Sequence, residues 1–168
     1  MRTLDGGETW EKKGQLTQDD NPVDIECTGP DSVWAVGSAG LIAHTEDGGN
    51  AWTRETRVTG EHLSRVRFFG KDGWILGANG LALRTQDGGK SWVKVRIPTH
   101  QLLTDVTVVD RSGWVVGTQG TILRSEDGGD TWEPFSSPTN QDLSVLFFLD
   151  SSSGWAGGDR LTLLRYGR

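Results

Sequence analysis

One eight-residue pattern recurs four times along this 168-residue chain, and it constrains the fold more than any other feature. The copies run from Thr3 to Trp10, Thr45 to Trp52, Thr85 to Trp92 and Ser125 to Trp132, each with Asp-Gly-Gly at its centre. Their aspartates, Asp5, Asp47, Asp87 and Asp127, are spaced 42, 40 and 40 residues apart. A second series, Trp34, Trp74, Trp114 and Trp155, is spaced 40, 40 and 41. With Trp10, Trp52, Trp92 and Trp132 it accounts for all eight tryptophans. Self-similarity at a fixed period of 20–50 residues marks a repeat architecture, in which each unit buries its apolar face against its neighbours.

Each unit reads as four short strands. In the second unit, 64–69 is an apolar-rich strand, 70–73 a turn, 74–76 a second strand and 77–80 another turn. A third strand over 81–84 leads into the Asp-Gly-Gly turn, and a fourth covers 91–95. Glycine, aspartate and asparagine at these turns supply positive φ or a side-chain acceptor. No stretch shows helical periodicity. Four-stranded units of about 40 residues predict an all-β fold, a β-propeller with four blades per chain and one domain over residues 1–168.

The Ser/Thr-x-Asp-Gly-Gly-x-Thr/Ser-Trp segment resembles the BNR or Asp-box repeat. The longer pattern over Gly73–Trp92 and Gly113–Trp132 is similar to the repeat of photosystem II stability/assembly factor propellers. The resemblance covers essentially the whole chain and implies a propeller whose Asp boxes lie at the periphery, away from any active site. It implies a function only loosely, because unrelated proteins share this repeat.

The repeat phase at the two ends carries a further expectation. Arg2 and Arg165 occupy the same repeat position, 163 residues apart, or four periods of about 40.75. The last unit therefore lacks its Asp-box turn and fourth strand, and the chain begins with that piece. The N-terminal strand is expected to complete the last blade, closing a sheet that would otherwise keep a bare edge. Closure in cis gives a four-bladed monomer; closure in trans gives an eight-bladed homodimer by strand exchange.

Composition narrows the function classes. A net charge of −6 argues against non-specific nucleic-acid binding, and no apolar run is long enough to span a membrane. A single cysteine, Cys27, excludes an intramolecular disulfide framework and reads as a small buried hydrophobe. No secretory pattern opens the sequence, so the expected location is cytoplasmic for a complete chain and exported if a leader has been removed. His44, His62 and His100 show no metal-ligand spacing, and no metal or cofactor is expected.

Two sets of residues are candidates for a role. The Asp-box residues Asp5, Asp47, Asp87 and Asp127, with Trp10, Trp52, Trp92 and Trp132, are expected to hold the turns: the carboxylate accepts backbone N–H bonds and the ring packs across the hairpin. Arg2, His44, Arg84, Arg124 and Arg165 share the position just before each turn. They are read either as braces for neighbouring carboxylates or as a basic arc that grips carboxylates on a partner. The assembly-factor resemblance implies an arginine-rich face used against a partner polypeptide.

A hydrolase is the competing reading, since sialidases share the Asp box. The resemblance would require a tyrosine nucleophile, and the sole tyrosine, Tyr166, is placed at a turn near the C-terminus. A carboxylate pair drawn from Asp19, Asp20, Asp24, Glu61 and Asp142, near the fourth-to-first-strand connections, is the remaining catalytic option. The reading carried forward is a non-catalytic scaffold that binds a protein partner, with a glycan-binding or glycan-hydrolysing module as the alternative.

Overall fold

The computed structural model describes residues 1–14, 16, 21–55 and 58–167. Its strands form four antiparallel sheets in strict chain order. The first blade comprises β1 (Pro22–Cys27), β2 (Val33–Gly37), β3 (Ile42–Thr45) and β4 (Thr53–Arg54). The second comprises β5 (Leu63–Phe69), β6 (Asp72–Gly77), β7 (Ala82–Thr85) and β8 (Val93–Val95). The third comprises β9 (Leu103–Val109), β10 (Ser112–Gly117), β11 (Ile122–Ser125) and β12 (Glu133–Pro134). The fourth has three strands among the described residues, β13 (Leu143–Asp150), β14 (Ser153–Gly158) and β15 (Leu163–Tyr166). The all-β propeller architecture and its four repeats are thus as the repeat period predicts.

The second strands β2, β6 and β10 are buried along most of their length: β6 and β10 lie between two neighbouring blades, and β2 between blade two and the N-terminal hairpin. Strands covered on both faces are apolar on both, and Trp74-Ile75-Leu76 is an unbroken run. Between second and third strands the chain makes a tight turn ending at Gly40, Gly80 or Gly120. Gly80 has φ 66°, and a Cβ there would run into the Thr99 carbonyl, so glycine serves both the left-handed backbone and the close approach.

The core is divided among the blade boundaries. Between blades one and two, Trp34, Val36 and Ile42 meet Leu63, Val66 and Ile75. Between blades two and three, Trp74, Leu76 and Ala82 meet Leu103, Val115 and Leu123. Between blades three and four the buried cluster shrinks to Val116, Leu143 and Ala156.

The ends depart from expectation. Residues 1–11 do not pair with β15. Instead Arg2 and Glu11 bridge each other, and Arg2 reaches Asp31 of the first blade at 3.0 Å. Closure in cis is therefore corrected: the N-terminal hairpin stands in front of blade one. Cys27 is exposed, not buried, because no complete blade covers that face of β1. Tyr166 ends a strand, not a turn, and its ring lies 4.5 Å from that of Trp114.

Candidate functional site

The Asp boxes share one hydrogen-bonded geometry. In the third copy, the Thr85 hydroxyl accepts from the Gly89 N–H at 2.8 Å and donates to Asp87 at 2.7 Å. Asp87 then accepts from the Ser91 N–H at 3.0 Å and the Ser91 hydroxyl at 2.7 Å. Asp47 and Asp127 repeat the pattern with Ala51 and Thr131, and Asp5 with Thr9. These donors stabilise the ionised form. Ser91 and Thr85 hold the Asp87 carboxyl down at about 2, and the same kind of contacts lower Asp5, Asp47 and Asp127. Every one of these carboxylates is already occupied by its own turn.

The box tryptophans do more than cross their own hairpins. Trp10 and Trp132 donate Nε1–H to the carbonyls of Gly7 and Gly129, both at 3.1 Å. The rings, however, reach the preceding blade: Trp132 lies edge-on to Trp74 at 5.5 Å, and Trp92 edge-on to Trp34 at 5.6 Å. Gly129 and Gly89 press against the same two rings so closely that a Cβ would overlap them. Each complete Asp-box turn thus roofs the strand-two tryptophan of the blade before it. Trp52 is half-buried, while Trp10 is 59% exposed.

The row of basic residues sits opposite the strand-two tryptophans in register: Trp34 pairs with His44, Trp74 with Arg84, Trp114 with Arg124 and Trp155 with Arg165. Each of these side chains covers the ring of its partner. His44 stacks on Trp34 at 4.8 Å, and the guanidinium carbons of Arg84, Arg124 and Arg165 lie 5.1, 5.4 and 5.9 Å from the respective ring centres.

The environments of these five residues differ. Arg84 is 8% exposed and is gripped by Asp72 and by Asp130, both at 2.6 Å. The hydrogen bonds it donates to Asp72, and then to Asp130, raise its pKa further. Arg124 is half-buried and meets Glu126 at 3.0 Å, while its Nε is buried without a hydrogen-bond partner. His44 meets Glu55 at 2.9 Å, and Arg2 meets Asp31. Arg165 is exposed. The structure therefore gives Arg84 the bracing geometry and presents Arg165 at the surface.

A third cluster was not singled out from sequence. The first strands of successive blades adjoin, and Asp24, Arg65 and Asp105 occupy equivalent positions on β1, β5 and β9. Arg65 lies 3.6 Å from Asp24 and 3.3 Å from Asp105, and Arg67 reaches Glu26 at 3.4 Å. Asp24 accepts the Val66 N–H at 2.9 Å, and Asp105 accepts the Leu146 N–H at 2.8 Å, so each carboxylate caps the next blade's first strand. Burial pushes the Asp105 carboxyl up, against these bonds and the two guanidiniums. The spacing of 41 and 40 residues between these charged positions was the available signal.

Among the described residues the suggested hydrolase carboxylates are not drawn together. Asp24 belongs to that ion-pair cluster, Glu61 accepts from Asn79 at 2.9 Å, and Asp142 accepts the Gln119 N–H at 2.8 Å. Asp19 and Asp20 lie outside the described residues. His62 approaches Ser38 at 3.4 Å, and His100 is exposed. Among the described residues no group of three or more His, Cys, Asp or Glu side chains could hold a metal, and no helix is long and apolar enough to cross a membrane.

Comparison with known proteins adds a family. A family model described as the photosynthesis system II assembly factor YCF48 matches residues 8–103 and 91–165. Among solved structures, YCF48 from Cyanidioschyzon merolae is similar at 23% identity and a TM-score of 0.70, covering 92% of this chain and 55% of that one. YCF48 bound to D1 peptide is similar at 22% identity and a TM-score of 0.66, covering 88% and 53%. An ancestral GH74 enzyme shares the fold at 12% identity and a TM-score of 0.72, covering 95% of this chain and 27% of that one. The chain spans about half the length of the YCF48 structures it matches. No curated protein sequence matches it significantly.

Proposed function

The chain belongs to the family of the photosynthesis system II assembly factor YCF48, and from that premise we propose that it is a non-catalytic propeller scaffold that binds a segment of a protein partner. The observation that carries this reading is the row of tryptophan-backed cations along equivalent strands, in a fold whose relative holds a D1 peptide. An arginine held flat on an indole loses little freedom on binding and presents its fork to a carboxylate. Arg84 is consumed internally by Asp72 and Asp130. The exposed member, Arg165, is the contact point of the proposal, and the partner segment it suits is acidic.

Calorimetric titration with the D1 peptide tests this, with an unrelated acidic peptide beside it. Saturable binding that weakens as salt is added, and weakens several-fold in Arg165→Gln at unchanged mass in solution, is expected. Absence of binding to either peptide at low salt would overturn the proposal.

A further inference from the structure

We propose that the rim of blade two, along its outer strand β8, is a docking edge for an extended acidic segment of a partner polypeptide. The surface is separate from the Arg165 contact on blade four, and neither rests on the other.

Charge singles out this blade. Residues 61–100 carry seven lysines and arginines against three acids, whereas the other 128 residues carry ten against twenty. Three of the seven are consumed by the fold. Arg65 and Arg67 hold Asp24, Glu26 and Asp105 at the first strands, and Arg84 is gripped by Asp72 and Asp130. The other four, Lys71, Lys90, Lys94 and Arg96, are exposed, and none has an ion pair among the described residues. An acidic protein thus keeps a block of uncommitted positive charge on one blade, where it can steer an acidic partner.

Strand periodicity gathers these cations, because side chains two apart share a face. Val95 packs into the boundary with blade three, so Trp92, Lys94 and Arg96 lie on the opposite side, toward blade one. Trp92 meets Trp34 there, edge-on at 5.6 Å. Lys90 lines the same side, at a cleft of about 250 Å³ whose far wall carries His44, Glu46 and Glu55 of blade one. Lys71 is tied to that corner by its carbonyl, which accepts the Gly88 N–H at 3.0 Å. Lys90 stands at the repeat position of Asp130, which grips Arg84 across the next boundary. The box loop that supplies a carboxylate to one boundary therefore supplies an ammonium to this one.

The backbone of β8 offers the second half of the match. Among the described residues β8 pairs with β7 alone, so the N–H and C=O groups along its outer edge have no strand neighbour. It has three residues where β4 and β12 have two, and Val93 on it is 60% exposed. Such an edge accepts an added extended segment through main-chain hydrogen bonds. Glutamates or aspartates on that segment would meet Lys94 and Arg96. An anionic bilayer fits this edge less well, because a flat surface that reaches Lys90 also meets Glu46 and Glu55 across the cleft.

Nitrogen-15 NMR titration of the 168-residue chain with a hexaglutamate peptide at low salt tests the proposal, with phosphatidylserine vesicles in parallel. Saturable shifts centred on the amides of Lys90 and Val93–Val95 are expected. Affinity should fall about tenfold in Lys94→Gln/Arg96→Gln, where two charge contacts are lost. It should be unchanged in Arg111→Gln/Arg160→Gln, which removes two exposed cations of other blades. The β8 shifts should also persist in Arg165→Gln, which separates this edge from the contact on blade four. Lys94 and Arg96 are exposed without partners, so the double variant should keep the wild-type spectrum elsewhere. No shifts along β8, an equal loss of affinity in Arg111→Gln/Arg160→Gln, or binding to the vesicles without binding to the peptide would each overturn the proposal.

Discussion

The boundary between blades two and three and the far face of blade four are built on the same repeat, yet one is finished and the other is not. At the finished boundary, Gly129 and Trp132 close over Trp74, which is fully buried, while Arg84 is held by carboxylates from both blades. Trp155 has the corresponding place in blade four, but the face around it carries exposed Phe147 and Leu163. At Trp114, Phe135, Phe148 and Tyr166 crowd the ring where an Asp-box turn would otherwise stand. The difference teaches that a blade of this type does not bury its own tryptophan. The next blade does that, by its turn at Trp74 and by Phe148 and Tyr166 at Trp114, and the stability of each unit is therefore a property of a boundary.

The largest effect expected from breaking that contrast is at Arg84. Arg84→Glu would place a third carboxylate beside Asp72 and Asp130 in a buried site and should cost about 3–5 kcal/mol in urea unfolding. Arg124→Glu, half-buried with an exposed partner in Glu126, should cost under about 1 kcal/mol. Equal losses would show that the two boundaries are alike after all.

Tryptophan truncation comes next. Trp74→Ala should lose about 3–5 kcal/mol, the usual range for a buried aromatic. Trp155→Ala should lose about 1–2 kcal/mol, because less of its surface leaves water. The pair of unfolding curves checks this directly.

A finer comparison uses adjacent glycines. Gly128 and Gly129 have φ of 78° and 93°, so alanine strains both backbones by about 1–2 kcal/mol. Only at 129 would the added Cβ meet the ring of Trp74. Gly129→Ala should therefore be the less stable of the two, and equal melting temperatures would remove the ring from the explanation.

The smallest effect is in the exposed Asp-box turns. The Asp87 carboxyl is held at about 2 in the folded chain, below its ordinary 3.8. A lowered folded pKa contributes stability that is present above 3.8 and is lost as pH falls through about 2. Acid melting of Asp87→Asn should accordingly show a shallower fall over that window than the wild type.

Much of this was legible in the sequence, and for a definite reason. The Gly-Trp-x-x-Gly-x-x-Gly spacing sets the second strand, the tight turn at Gly80 and the start of the third strand within one unit, so local chemistry sufficed to place β6 and β7. What depended on relations between units was harder to read. The exposure of Cys27 follows from the lack of a full blade in front of β1, and the location of Tyr166 from its ring filling the space beside Trp114. The division of the cation row depends on acids supplied by neighbours: Asp72 and Asp130 surround Arg84, whereas Ser112 stands at the position of Asp72 in the blade of Arg124. The first-strand ladder of Asp24, Arg65 and Asp105 alternates in sign only when three repeats are aligned.

The direct test of the claim that stability belongs to completed boundaries is hydrogen exchange along β15, compared with β11, its equivalent in blade three. Among the described residues β11 is flanked by β10 and β12, while β15 is flanked by β14 alone. The outward amides of Leu163–Tyr166 should exchange faster than those of Ile122–Ser125. Equal protection of the two strands would contradict the claim.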